Sequence, residues 1–230
     1  MNKALKIVLE ILLAVVAVAL VWLIYKSVMK PVNFNKEKAA RQEVAVQRLK
    51  DIRTLQVAFK SVNNRFTPSV DSLIMFYNTG KMDIIMQIGS NDDSLAVANT
   101  ARIKKANRKI TPEQMYDMYQ KGEKNLVFSI TTPIAVKDTL FHGRTDFCAD
   151  SLAFIPFSGG KPVEMEAIVK TVSGVQVPLF EARMPWRDLL KGMDNQLRIN
   201  LDAESENQNR YTGLQVGSIS APNNNAGNWE

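Results

Sequence analysis

Between Ile7 and Tyr25 the chain runs for 19 residues with one charge, Glu10. No feature constrains the fold more. A helix of about 20 apolar residues matches the hydrocarbon core of a bilayer. Trp22 and Tyr25 stand at its far end, where amphipathic rings favour the interface, and Lys26 follows. Ala17-Val18-Ala19 has the form of a signal-peptidase site. The apolar run continues through Leu20-Val21-Trp22-Leu23-Ile24, however, so a cut there would leave an apolar new end. An uncleaved anchor is the expectation.

The remaining 200 or so residues are enough for one domain with its own core. Cys148 is the only cysteine, which excludes an internal disulfide and leaves the redox compartment open. The formal charge of +6 points weakly to nucleic acid. Nine basic and three acidic residues lie between Lys26 and Lys60, beside the span, where they suit anionic headgroups better. Taken literally, the same charges place the large domain in the cytoplasm, since Lys3 and Lys6 precede the span while Lys26, Lys30, Lys36, Lys38 and Arg41 follow it.

After an expected break at Pro31-Val32-Asn33, the segment from about Asn35 to Val62 reads as an amphipathic helix. Ala45, Leu49, Ile52, Leu55, Phe59 and Val62 recur at three- and four-residue steps. Asn35 is its expected cap. "TPSVDSLIMFYNTG" predicts a short helix capped by Thr67 or Ser69 and ended by Gly80. "MDIIMQI" predicts a strand, and "TPEQMYDMYQKG" a helix with Thr111 as cap. "ARIKKANRKI", with five bases, reads as a surface loop. Beyond Leu126, "LVFSI", "SLAFIPF", "PVEMEAIVK" and "GVQVPLFEAR" predict strands, with a hairpin turn at Gly174 and an edge or bulge at Pro178. The stretch from Gln196 onward is expected as loop, save a strand near Leu214-Gln215-Val216.

Catalytic groups are sparse. His142 is the only histidine and sits beside Gly143, as a turn residue would; Cys148 has no base of its own and is expected as a small buried side chain. No Walker loop, G-x-S-x-G, C-x-x-C or H-E-x-x-H occurs. Asp202, Glu204 and Glu206 alternate without the glycine and terminal glutamate of an EF-hand, so an exposed acidic loop is expected rather than a metal site. The basic run lacks the interleaved aromatics used to stack single strands. No catalytic residue, metal or cofactor is expected, nor a nucleic-acid partner.

Glu10 needs its own account. It either reaches the headgroup layer, being three residues into the span, or registers one helix against another. "VLEILLAVVAVAL" with Glu10 near its start resembles the membrane segment of type IV pilins and type II secretion pseudopilins. Asn35-Lys36-Glu37-Lys38-Ala39, Arg41, Phe66 and Pro68 are similar to the major pseudopilin stalk, and "NNNAGNWE" to its terminus, with Gly227, Asn228 and Trp229 at the matching positions. Two departures stand beside this. Leu5-Lys6 occupies the place of the prepilin-peptidase glycine, and Ser218 and Asn223 to Asn225 replace the aspartates of the calcium loop.

The residue pattern predicts, and the resemblance agrees with, an α+β protein with an N-terminal transmembrane helix continuing into a long amphipathic stalk helix packed on a small antiparallel β-sheet head. Its divisions are an N-terminal flank (1–6), the span (7–25), stalk and linker (26–65) and a head (66–230) with a polar C-terminal loop. The resemblance also implies a non-enzymatic subunit of a secretion or pilus-like machine in a bacterial inner membrane, head in the periplasm. The partners implied are further copies (a homo-oligomer), other secretion-machine subunits and membrane lipid. Glu10 would serve intramembrane packing, Leu49, Ile52 and Phe59 the stalk–head core, and Gly227, Asn228 and Trp229 the closure of the loop. A membrane-tethered adaptor or sensor binding one protein partner is the alternative.

Overall fold

The computed structural model describes residues 3–230. One helix, α1, runs from Lys3 to Asn63 without interruption. The expected break at Pro31 is therefore wrong, and Asn35 caps nothing. Proline inside a helix removes one hydrogen bond and crowds the carbonyl four residues back, here Ser27. Ser27 lies at an exposed position, where solvent can take the freed carbonyl. Ties to the head on both sides of Pro31 hold the helical course: Lys30, just before it, pairs with Asp194 at 2.7 Å, and Phe34, just after it, is buried in the main core.

The other elements follow in order: α2 (Val70–Thr79), β1 (Lys81–Ile88), α3 (Ser94–Ala106), α4 (Pro112–Gln120), β2 (Phe128–Ala135), α5 (Val136–Thr139), a 3-10 turn (Ala149–Ala153), β3 (Glu164–Val172), β4 (Val175–Pro185), α6 (Trp186–Leu189), α7 (Asn195–Asn207) and β5 (Gly213–Gly217). The protein is thus α+β, with two small antiparallel sheets: the ribbon β1-β2 and the sheet β3-β4-β5.

Local chemistry explains several boundaries. Ser69 accepts from Ser72 N to cap α2, and Thr111 and Gln114 close a reciprocal capping box on α4. Ser173 and Gly174 both have positive φ (51° and 83°), the two-residue turn whose twist suits a β3-β4 hairpin. Pro178 lies on the central strand rather than an edge strand, but β5 pairs only with Glu181 to Pro185, so no ladder bond to β5 is required there.

Three other expectations fail. "ARIKKANRKI" falls largely within α3, and Asp202, Glu204 and Glu206 lie on α7, not a loop. "SLAFIPF" forms the 3-10 turn and an isolated bridge from Phe154 to Pro162. In each case a capping aspartate or a tertiary contact outweighs the local composition.

The main core lies where α1 meets the three-stranded sheet. Leu49, Ile52 and Leu55 are completely buried, and from β4 the alternating Phe180, Ala182 and Met184 enter the same cluster with Leu214 and Val216 of β5. Each fully buried aliphatic chain contributes roughly 1.5–3 kcal/mol. Phe66 packs on Phe180 at 4.8 Å. Val62, counted in the stripe on spacing alone, is 44% exposed, because the head no longer covers that end of the helix. A second, smaller cluster of Ile88, Met115, Leu126, Phe128 and Ile130 belongs to a lobe built from α3, α4 and the ribbon.

Candidate functional site

The membrane-length part of α1 has no contact with the head that would bury it. Every described side chain from Glu10 to Val28 is exposed, and this is the one helix, among the described residues, long and apolar enough to cross a membrane. That fits a membrane anchor. Glu10 sits among exposed Ile7, Ile11 and Leu13. A carboxylate at the centre of a span costs about 2.5–3.5 kcal/mol on insertion scales and less near an end, so its position one turn into the apolar run is tolerable without being free of consequence.

Above the span, α1 is tied to the head at successive heights. Arg41 donates to the carbonyls of Leu189 and Lys191, Arg48 to that of Phe154, Arg144 to Asp51 at 2.6 Å, and Arg53 to Glu230 at 2.6 Å. Gln56 is completely buried: its amide donates to Thr67 O at 2.6 Å and accepts from Thr67 N at 3.1 Å. This clamp folds the turn after α1 back onto the helix. Gln56 falls one position past Leu55 and interrupts the apolar stripe; an inward polar residue at helical spacing was the only signal for it.

Leu49 and Ile52 lie in the core, and Phe59 at its margin, meeting Phe76 edge-on at 5.3 Å. The three do converge on one seam between helix and head. Gly227, Asn228 and Trp229 form a second constellation beside it. Gly227 bridges Val216, extending the sheet past β5. Asn228 donates to Gly213 O, and its carbonyl oxygen accepts from Gln215 N. A Cβ on Gly227 would lie 2.4 Å from the Trp229 ring, so glycine there is what lets the indole fold back over the tail and pack against the main core. Glu230 then reaches Arg53, whose guanidinium holds its carboxyl below the usual value of 4.5.

A groove of about 720 Å³ runs between α1 and the loop of Arg144 to Leu152, lined by Arg48, Asp51, Arg144, Cys148 and Trp229 among others. Cys148 is exposed there rather than buried, which corrects the expectation; the loop turns its small side chain outward while Phe147 packs inward on Tyr77 and Phe141. Arg48 has its pKa lowered by burial. Arg144 has its pKa raised by hydrogen bonds to Asp146 and Asp51. These groups hold loop to stem. His142 is exposed in the adjoining turn, and Cys148 lies within electrostatic reach of the Arg48 guanidinium. Among the described residues no group of three or more His, Cys, Asp or Glu is placed to hold a metal ion.

Comparison with family models, curated proteins and solved structures finds no match to this chain.

Proposed function

We propose that this chain is a pseudopilin-like, non-enzymatic subunit of a secretion or pilus-like envelope machine, anchored in a bacterial inner membrane through Ile7–Tyr25 with its head in the periplasm. The observation that carries the reading is the single unbroken helix, exposed at every described side chain of its apolar length and bolted to an α+β head over the rest. A rigid stem of this kind transmits side-by-side contact in the membrane directly to the head. A flexible tether would not.

In this reading Glu10 registers one span against the next, taking hydrogen-bond donors or a lysine from a neighbouring helix. Leu49, Ile52 and Phe59 hold stem and head as one body, and Gly227, Asn228 and Trp229 lock the sheet's free edge. The missing prepilin-peptidase glycine makes the subunit a fixed scaffold rather than one extracted into a filament. Glu10→Leu tests the role of the carboxylate: the variant should insert normally but lose homo-oligomer on native gels in mild detergent. Unchanged assembly would remove Glu10 from the account.

The second reading, a tethered adaptor for one protein partner, draws on the α3–α4 lobe. It carries its own core, an exposed Ile85 on the ribbon, and the exposed bases Arg102, Lys104, Lys105, Arg108 and Lys109. Deleting the lobe separates the two, since it should abolish an adaptor's partner binding while leaving a stem-built assembly in place.

A further inference from the structure

The ties between α1 and the head fix which part of the head is nearest the bilayer. In order along the helix they run from Lys30–Asp194, through Arg41 with Leu189 and Lys191, Arg48 with Phe154, Asp51 with Arg144 and Arg53 with Glu230, to Gln56 with Thr67. The corner between α6 and α7 is therefore the lowest element of the head. Lys30 is five residues past Tyr25, about 7.5 Å along a helix rising 1.5 Å per residue. The headgroup region of one leaflet is about 5–8 Å deep. Asp194 caps α7 by accepting from Leu197 N, so the first turn of α7 starts at that depth. Its exposed residues there are Asn195 and Gln196, with Ile199 one turn on, 43% exposed.

The facing stretch of stem has matching chemistry. Trp22, Tyr25, Lys26, Met29, Lys30 and Asn33 line a shallow groove of about 380 Å³, and the Lys26 ammonium lies 5.1 Å from the Trp22 ring centroid. Two ammonium groups bracket ring and thioether surface, with Asn33 at the upper rim. The only carboxylate tied to this stretch among the described ion pairs, Asp194, is offset by Lys30, which also holds its pKa below the ordinary value.

We propose that the head is seated on the membrane: the α6–α7 corner and the first turn of α7 rest in the headgroup layer, with anionic phospholipid headgroups along Lys26, beside the Lys30–Asp194 pair. Charge complementarity and direct continuity with the span select lipid as the occupant. The seat rests on the anchor reading above and adds that the head stands in one orientation, through the Lys30–Asp194 strut, instead of swinging.

The test uses the full chain with Cys148→Ser, spin-labelled at one of three introduced cysteines (Leu20→Cys, Gln196→Cys or Lys105→Cys). Each is reconstituted in vesicles of phosphatidylglycerol and phosphatidylethanolamine carrying a nickel-chelating headgroup lipid. Relaxation enhancement by the headgroup nickel should be at least threefold greater at position 196 than at 105. Replacing phosphatidylglycerol by phosphatidylcholine, or adding Lys30→Glu, should lower the value at 196 at least twofold while position 20 stays oxygen-accessible. Equal values at 196 and 105, with position 20 still in hydrocarbon, overturn the seat alone. An aqueous profile at position 20 overturns the anchor, and the seat with it.

Discussion

The molecule holds two hydrophobic clusters of very different construction. The main one gathers α1 and α2 from the first part of the chain with β4 and β5 from the last, around Leu49, Ile52 and Leu55. The small one is local: all five of its buried residues fall between Ile88 and Ile130, on α4 and the ribbon or close to them. The lobe joins the body through the base of the ribbon, where Val136 N donates to Gly80 O at 3.0 Å and Met82 packs against the main core. A core assembled from distant segments ties the stem to the head and stands or falls as a unit. A core closed within one insertion can open by itself. In the proposed function the first transmits position from stem to head, and the second is free to vary.

The largest expected effect that separates the two comes from matched truncations. Leu49→Ala should cost about 3 kcal/mol of global stability, within the range for fully buried leucines, read by urea denaturation of the head released from the span. Met115→Ala should instead raise amide exchange across 88–130 and leave the rest protected. If Met115→Ala melts the whole head, the lobe is not a separate unit. Arg144→Ala comes next, at about 1–2 kcal/mol, because it strips a nearly buried Asp51 of its charged partner while Gln47 remains; the loss belongs to the main body and should leave exchange in the lobe unchanged. Replacing Asp83–Pro133 by Asn-Gly, which closes the ribbon across the Met82–Ile134 pair, should shift the melting temperature by only a few degrees. A collapse of the fold would show that the body needs the lobe.

The smallest effect is acid release of the tail. Glu230 has its pKa lowered by Arg53, so its contribution is fully present above the unfolded value near 4.5 and disappears as pH falls through the depressed folded value. Trp229 fluorescence should therefore report tail opening only below pH 4.5, and Arg53→Gln should remove that acid transition. A transition at neutral pH would assign the tail to another group.

What was readable in advance follows the same division between near and far. The long apolar helix, the cap of α2, the capping box of α4 and the β3-β4 turn are set by residues within a few positions of one another, and spacing exposes them. α3 escaped because its bases suggest a loop; Asp93 starts it, and Thr100 holds it down by accepting from Val127 N at 2.8 Å, a contact across 27 residues. α7 escaped for a similar reason, its Asn-rich sequence hiding Leu197 and Leu201, four apart and packed on the main core. Pro31 argued for a break that the long-range ties of Lys30 and Phe34 override. At the candidate site, Leu49 and Ile52 follow from periodicity and Trp229 from its place in the tail. Gln56, Arg41 and Arg53 act through backbone or tail groups brought close only by folding, so their partners are not marked in their own neighbourhoods.

The most direct test of the central claim is in-cell crosslinking from single cysteines along the lower stem, at Leu13, Leu20, Val28 and Val32, in a Cys148→Ser background. Side-by-side assembly predicts ladders of homo-oligomer whose yield follows helical periodicity, with a cysteine on the head labelled by a membrane-impermeant thiol reagent in intact spheroplasts. Crosslinks to a single foreign protein, or a head left unlabelled, would contradict it.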